Sequence, residues 1–491
     1  MTMSLSRIIS RLAADQAEQP AVICGAAAIT YRELDRRTNQ LARSFAQRGV
    51  THGDMVTIAL PNSIEFYLAL VATWKLGATP QPVSWQLPEH ERASIVELAE
   101  PKLVVGADVA GWPSAEVALA GDASTGLDDS ALPDAISPAW KAMTSGGSTG
   151  TPKLIVAEQP GVFPPEPGAA FGMRPGDQQL VAGPLYHNGP LLFSTLGLCM
   201  GHTLIVLEKF RADAALEMIA RHRVSWLMLV PTMMSRILRA VRRNGGRDDL
   251  SALRAVWHMA APCPNWLKQA WIDLVGPDVL YELYATTEGV AATAITGREW
   301  LDHKGSVGKP VLGEIVILDS AGEPVPPGTV GEIFMRSAEP SYRYIGARTR
   351  RVDGWESVGD LGWLDTDGFL YISDRRTDMI VSGGANIYPA EVEGAIEAHP
   401  LVGSCVVVGI PDDDLGQRVH AVIQTYGELS ESELLGQLAG KLVRYKIPRS
   451  VEFVSKPLRD DAGKVRRSEV RATAIARMYI TEHGPTDGRG G

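Results

Sequence analysis

The stretch DAALEMIARHRVSWLMLVPTMMSRILRAVRR, residues 213–243, decides the fold. Residues 213–224 carry a helical period, SWLMLV at 225–230 is a short apolar run, and Pro231 opens a second helical period. That helix stops at Asn244, Gly245 and Gly246, a helix-ending cluster. Helix, strand and helix in succession imply a parallel sheet flanked by helices. The same alternation stands earlier. TYRELDRRTNQLARSFAQRGV, residues 30–50, is a helix with Thr30 as N-cap and Glu33 three residues on, a capping box. GDMVTIALPN is a strand, IEFYLALVATWKLGA is an apolar helix closed by Gly77, and PKLVVGA is another strand.

From about Gly297 the pattern changes. GEIVILDS, GEIFMRS and GFLYISD are short strands between Gly and Pro turns, which predicts a β-rich subdomain. After DRRTD come LVGSCVVVGIPD, QRVHAVIQTY and a helix through SESELLGQLAGKLV, enough for a small α+β unit. The expected class is α/β: a large N-terminal domain of two flanked sheets plus a β-rich subdomain, then a small mobile α+β C-terminal domain. The expected bounds are 1–373 for the large domain, 374–378 for a hinge, 379–480 for the small domain and 481–491 for a disordered tail.

Bulk properties narrow the function. The 491 residues exceed one compact core. Apolar residues make up 45% and charged residues 21%, ordinary for a globular protein. A formal net charge of −10 argues against nucleic acid or an anionic membrane as partner. Cys24, Cys199, Cys263 and Cys405 are too far apart for a zinc or C-x-x-C motif and read as buried thiols of a reducing compartment. The N-terminus lacks a continuous apolar signal region, and the apolar run 191–207 reads as helix, turn and strand rather than a membrane span. The cytoplasm is the expected compartment.

TSGGSTGTPK, Thr144 to Lys153, has the composition of a phosphate cradle. It differs from G-x-x-x-x-G-K-[ST], because Thr151 and Pro152 separate Gly150 from Lys153 and the flanks read as strands rather than as strand and helix. Backbone N–H groups at Gly146, Gly147 and Gly150 can approach an anion closely, and Ser145, Ser148 and Thr149 add donors.

Read in order, TSGGSTGTPK, PLYHNGP, YELYATTE, SVGDLG, DRRTD, SGGANIYPAEVE and PLRDDAGK resemble the motif series of the adenylate-forming superfamily, across about Thr30 to Lys464. TSGGSTG and PLYHNGPL are most similar to the branch of bile-acid and other polycyclic-acid:CoA ligases. The resemblance implies that a carboxylate attacks the α-phosphate of ATP, that pyrophosphate leaves, and that a thiol then displaces AMP. It implies ATP and Mg²⁺ in the first step and coenzyme A as co-substrate in the second.

Residue by residue, it implies that Thr144, Ser145, Gly146, Gly147, Ser148, Thr149, Gly150 and Lys153 hold the β- and γ-phosphates. Tyr284 would stack on adenine, with Ala285 where the family has glycine. Thr287 would touch the α-phosphate and Glu288 would help to hold Mg²⁺. Ala260, Ala261 and Pro262 would line the adenine and acyl pockets. Asp360 would accept the ribose hydroxyls, with Arg375 beside it. His187 would stand near the acyl carboxylate, and Lys464 would bridge carboxylate and α-phosphate. Gly383 and Gly384 would later line a pantetheine tunnel. Thr377 stands at the hinge position, where the family has Asp or Lys, and Asp374 stands where it has glycine.

The walls expected around the acyl group, 186–190, 231–235, 257–262 and 285–292, are apolar, with several Gly and Ala. Met228, Met233 and Met234 would be adaptable fillers. This predicts a roomy cavity for a bulky alicyclic or polycyclic acid, with fatty and aryl acids next. The alternative enzyme hands its adenylate to a carrier protein or partner enzyme, and a non-catalytic nucleotide-binding protein is the remaining class. The expected partners are the acid, ATP and CoA, without nucleic acid or membrane span; a homodimer and a pathway partner enzyme are left open.

Overall fold

The computed structural model describes residues 2–146, 152–459 and 463–483, with backbone alone at 145, 146 and 479–483. At its centre is a nine-stranded sheet. Six of its strands run parallel, in the order Leu280–Ala285, Ala255–His258, Trp226–Leu229, Gln178–Val181, Thr203–Val206 and Pro20–Cys24. Helices cover both faces, so strands such as WLML and TLIV are buried at every residue and read as continuous apolar runs. Antiparallel strands close the edges: Ala292–Thr296 and Lys309–Leu312 on one side, Ala27–Thr30 on the other.

Residues 213–243 fold as their pattern predicts. Helix Ala212–His222 leads into strand Trp226–Leu229, and Pro231 is the first residue of helix Pro231–Arg243. Its missing N–H costs nothing at that position. Helix Tyr31–Gln47 starts with both hydrogen bonds of the Thr30–Glu33 capping box. The apolar run 191–207 forms most of helix Asn188–Cys199, a turn at Gly201 (φ +74°) and strand Thr203–Val206. Among the described residues no helix is long and apolar enough to cross a membrane.

A second, four-stranded parallel sheet is built from Thr79–Pro82, Met55–Ile58, Leu103–Val105 and Ser114–Ala115. The β-rich part is a five-stranded antiparallel sheet spanning Glu314 to Arg375. It begins later than the sequence suggests. Gly297 opens the short helix Gly297–Asp302, because Thr296 and Glu299 form a capping box there, and Lys309–Leu312 still belongs to the central sheet. The small C-terminal part packs helices Pro389–Glu397, Glu431–Ala439 and Arg467–His483 with the sheet Val402–Asp412, Gly416–Thr425 and Ser450–Val454. The last helix runs to His483, three residues into the segment expected to be disordered; residues 484–491 lie outside the described residues.

Candidate active site

The carboxyl ends of the central parallel strands open into a cleft of about 3280 Å³, far larger than a pocket for one small ligand. Met259 to Pro262 follow strand Ala255–His258, and Thr286 to Glu288 follow Leu280–Ala285; all of them line the cleft. Ala260 has φ +73°, a left-handed conformation that costs a residue with a Cβ roughly 1–2 kcal/mol. The turn therefore presents Ala260, Ala261 and Pro262 to the cleft at the expense of local strain.

Tyr284 and Asp360 meet at one wall. The tyrosine hydroxyl donates to Asp360 Oδ2 at 2.7 Å, and Arg375 lies opposite Asp360 in the antiparallel pair Trp355–Leu364 with Leu370–Arg375. Its Nε is 3.7 Å from Asp360 Oδ1, but the side chain is 70% exposed, so the attraction is solvent-screened. Burial raises the Asp360 carboxyl above its ordinary range, against the hydrogen bond from Tyr284 and the charge of Arg375. Burial likewise raises the Tyr284 hydroxyl, with Asp360 adding to the effect.

Glu288 belongs to a second group. It accepts a hydrogen bond from the Tyr344 hydroxyl, and Lys153 Nζ is 3.6 Å from its Oε1. Lys153 also donates to Tyr344 Oη at 2.9 Å and lies 4.1 Å from the ring centroid. Strands Ala142–Gly146 and Pro152–Ala157 form the hairpin that flanks the glycine loop, with Ser145 opposite Lys153 and Gly146 opposite Pro152. Tyr342–Ile345 pairs with the second of them, which brings Tyr344 to the site. Thr144 Oγ1 accepts from Gln81 Nε2 at 2.9 Å. Gly147, Ser148, Thr149 and Gly150 lie outside the described residues, and so does the side chain of Ser145. Thr287 lines the cleft beside Glu288, and the buried Thr286 hydroxyl has no hydrogen-bond partner among the described residues.

His187 occupies the N-cap position of helix Asn188–Cys199 without a side-chain capping hydrogen bond, and its ring centroid lies 4.6 Å from that of Tyr186. Burial, helped by the charge of Lys464, lowers its pKa to about 3, so the imidazole is neutral. Lys464 also lines the cleft. Gly463 sets its approach: with φ +75°, a Cβ there would stand 2.9 Å from Thr232 Oγ1. Further contacts hold the C-terminal part in place. Arg239 donates to the carbonyls of Val402 (3.0 Å) and Gly403 (3.3 Å), and its guanidinium stacks 4.7 Å from the Tyr426 ring.

Not every expected residue is gathered. Gly383 and Gly384 form a hairpin turn between Ile380–Ser382 and Ala385–Ile387, with Gly383 N–H bonded to Leu415 O at 2.9 Å; neither lines the cleft. Asp374 is buried, and burial raises its carboxyl to about pKa 6. It accepts from Arg375 N (2.7 Å) and from Ala390 N (2.8 Å), tying the end of one strand to the first turn of helix Pro389–Glu397.

Most of the expected acyl walls face the cleft, including Gly189, Pro190, Met228, Met233, Ala291 and Ala292. Met234 is a correction: it is fully buried in the core and is not on the wall, because it turns inward on helix Pro231–Arg243. Three groups escape the sequence reading. Phe171 and Phe193 form an aromatic end with Trp257, at centroid distances of 4.9 Å between the two phenylalanines and 5.4 Å from Phe171 to Trp257. Tyr344 holds Glu288. Lys141 is a buried lysine on the cleft wall, whose signal was a charge inside the apolar run AWKAM.

Residues 9–344 match the family model of the AMP-binding enzymes, and residues 391–464 match that of the AMP-binding enzyme C-terminal domain. A feruloyl-CoA synthase of Amycolatopsis sp is 33% identical over 479 residues, covering 92% of this chain and 95% of its own. A fatty acid–[acyl-carrier-protein] ligase, ScoC, of Streptomyces coeruleorubidus is 29% identical over 484 residues, covering 92% and 93%. The o-succinylbenzoate CoA synthetase of Bacillus subtilis in complex with its acyl-adenylate intermediate has a TM-score of 0.81 at 26% identity, covering 96% of this chain and 98% of that one. The same Bacillus enzyme in complex with ATP and a magnesium ion has a TM-score of 0.81 at 25% identity, covering 96% and 99%.

Proposed function

Because the chain belongs to the family of AMP-binding enzymes, we propose that it is an AMP-forming acid:CoA ligase acting on a bulky apolar carboxylic acid. A carboxylate oxygen attacks the α-phosphorus of ATP, the bond to the β-phosphate oxygen breaks, and pyrophosphate leaves. The thiol of CoA then attacks the acyl carbon of the adenylate and AMP leaves, with the thiol proton passing to solvent. The observation that carries this reading is one cleft with two chemically different walls. Tyr284, Asp360 and Arg375 suit a nucleoside, while the neutral His187 and Lys464 suit a reacting carboxylate.

The roles follow from the chemistry of each group. Asp360 offers a carboxylate to the ribose hydroxyls, and Tyr284 offers its ring to the purine. Thr144, Lys153 and the glycine loop would take the phosphates. Lys464 stabilises the charge that develops between carboxylate and α-phosphate, work for which a single positioned donor is worth roughly 10²–10³ in rate. Magnesium fits Glu288: among the described residues no cluster of three or more metal-binding side chains exists, so one carboxylate would hold it together with phosphate oxygens. Bound there, the ion would neutralise phosphate charge. Tyr344 and Lys153 keep the Glu288 carboxylate oriented towards that position.

The second step calls for a swivel of residues 379–480 about 374–378, which would withdraw Lys464 and bring in Gly383 and Gly384. The swivel would break the Arg239 hydrogen bonds to the Val402 and Gly403 carbonyls and its contact with the Tyr426 ring. The four unpaired cysteines favour the cytoplasm as compartment. The acyl end of the cleft, with Phe171, Phe193, Trp257 and Met228, favours a wide apolar acid of alicyclic, polycyclic or aryl type. Likeness to a ligase for acyl-carrier protein keeps a protein-borne thiol as the second reading. The test is pyrophosphate release from MgATP with deoxycholate, decanoate and ferulate, each with and without CoA. We expect acid-dependent release and a thioester with CoA. Adenylate that accumulates in the presence of CoA would favour the carrier protein, and no release with any acid would refute the reading.

A further inference from the structure

Three lysines are buried among the described residues: Lys75, Lys141 and Lys268. Two have a carboxylate. Lys75 Nζ is 2.6 Å from Asp35 Oδ1, and Lys268 Nζ is 2.5 Å from Glu282 Oε2. That is the rule for a buried charge, since an unpaired one is costly. Lys141 breaks it. It donates to Asn188 Oδ1 and lies 4.3 Å from the Trp140 ring, both neutral partners, and it makes no ion pair among the described residues. An ammonium has three protons to donate, and Asn188 takes one.

The position of Lys141 gives the missing charge a meaning. The residue lines the same cleft as His187, Thr287, Glu288 and Lys464. Its partner Asn188 follows His187 in the chain, and the carboxylate that acts on it through space is Glu288. Lys141 is therefore tied to the neighbour of the group assigned to the carboxylate and feels the charge of the group assigned to magnesium. It enters strand Ala142–Gly146 directly, so it belongs to the fixed hairpin under the glycine loop and not to the C-terminal part.

We propose that the Lys141 ammonium is a second cationic residue of the reaction centre, built to bind an oxyanion of the ATP–carboxylate pair in the cleft that Lys464 also lines. This rests on the ligase reading above and adds to it a cation that stays in place when Lys464 withdraws. Burial lowers the amine to about pKa 7. An arriving anion raises it again, so the ammonium form is drawn in with the substrate. The fold alone gains nothing from the charge, because an apolar chain of similar length would pack there at no electrostatic cost.

The test is Lys141→Met, assayed with whichever of deoxycholate, decanoate or ferulate the wild type activates best. We expect acid-dependent pyrophosphate release to fall roughly 10²-fold, with the melting temperature unchanged or raised. Calorimetry with MgATP and the KM for the acid identify the oxyanion. Weaker MgATP binding assigns a phosphate, a raised acid KM assigns the carboxylate, and a fall in kcat alone assigns charge that develops in the transition state. Asn188→Ala is the control for an indirect effect. If it matches Lys141→Met and the double variant loses no more, Lys141 acts only through Asn188 and the proposal is overturned. Kinetics and binding within twofold of wild type overturn it as well. Should Lys141→Met fail to fold, Lys141→Gln replaces it under the same criteria. Wild type that is inactive with every acid refutes the ligase reading; an active wild type with an equally active variant refutes this inference alone.

Discussion

The Tyr284 hydroxyl hydrogen-bonds Asp360 at 2.7 Å, joining the end of a central-sheet strand to the β-rich sheet 76 residues later in the chain. A carboxylate held at one oxygen is preoriented to accept from a ligand at the other. Asp360→Ala should weaken MgATP binding roughly 10²-fold, as expected for the loss of two charge-assisted hydrogen bonds. Tyr284→Phe, which keeps the ring, should cost about tenfold or less. Calorimetry measures both; an Asp360→Ala protein that binds MgATP like wild type would contradict the ribose assignment.

Lys464→Ala should separate the two half-reactions. Adenylate formation should drop by 10²-fold or more, the scale on which a lost oxyanion donor is felt. Thioester formation from supplied acyl-adenylate and CoA should stay within a few fold. Equal loss in both steps would argue against withdrawal of the lysine.

Tyr344→Phe tests the support under Glu288. The hydroxyl orients the carboxylate, and loss of such an outer partner costs about 10–100-fold in metal affinity. Magnesium titration of pyrophosphate release should show a half-saturation point raised by about tenfold. An unchanged magnesium curve would remove Tyr344 from the metal site.

Gly189→Ala should act on substrate choice. A Cβ at Gly189 would stand 2.7 Å from Met228 Cε, the far end of an adaptable side chain, so the fold should tolerate it. The pocket narrows instead. The KM for deoxycholate should rise several fold more than the KM for decanoate. If the two shift together, this wall does not bound the acyl group.

Glu397 supplies a pH test. Burial raises its carboxyl to about pKa 7, with Glu393 adding to the effect and Arg459 opposing it. A raised folded-state pKa stabilises fully below the ordinary carboxylate range, and the effect is lost as pH climbs through about 7. Glu397→Gln mimics the protonated form. Relative to wild type it should gain on the order of 1–3 kcal/mol between pH 5 and pH 8, seen in urea unfolding. Parallel pH dependences for the two proteins would show that Glu397 is charged throughout.

The fold was legible wherever the signal was local. Thr30 with Glu33, Pro231 at a helix start and Gly77 at a helix end act within one or two turns, and each appears as the sequence implies. Thr296 with Glu299 carries an equal local signal for a helix start, which sets the β-rich part later than the Gly and Pro turns suggest. Tyr344 is a different case. It reaches Lys153 across 191 residues, through a strand pairing that no local pattern encodes. Lys141 lay between the two cases: a lysine in an apolar strand is visible, but its lack of a carboxylate partner is a property of the packed molecule.

Gly463 gives the molecule a clearance measured in one carbon atom. A methyl group there would stand 2.9 Å from Thr232 Oγ1, so either Thr232 or the backbone beside Lys464 would have to shift. Under the role proposed for Lys464, a position without chemistry of its own would then limit how closely the lysine approaches its target.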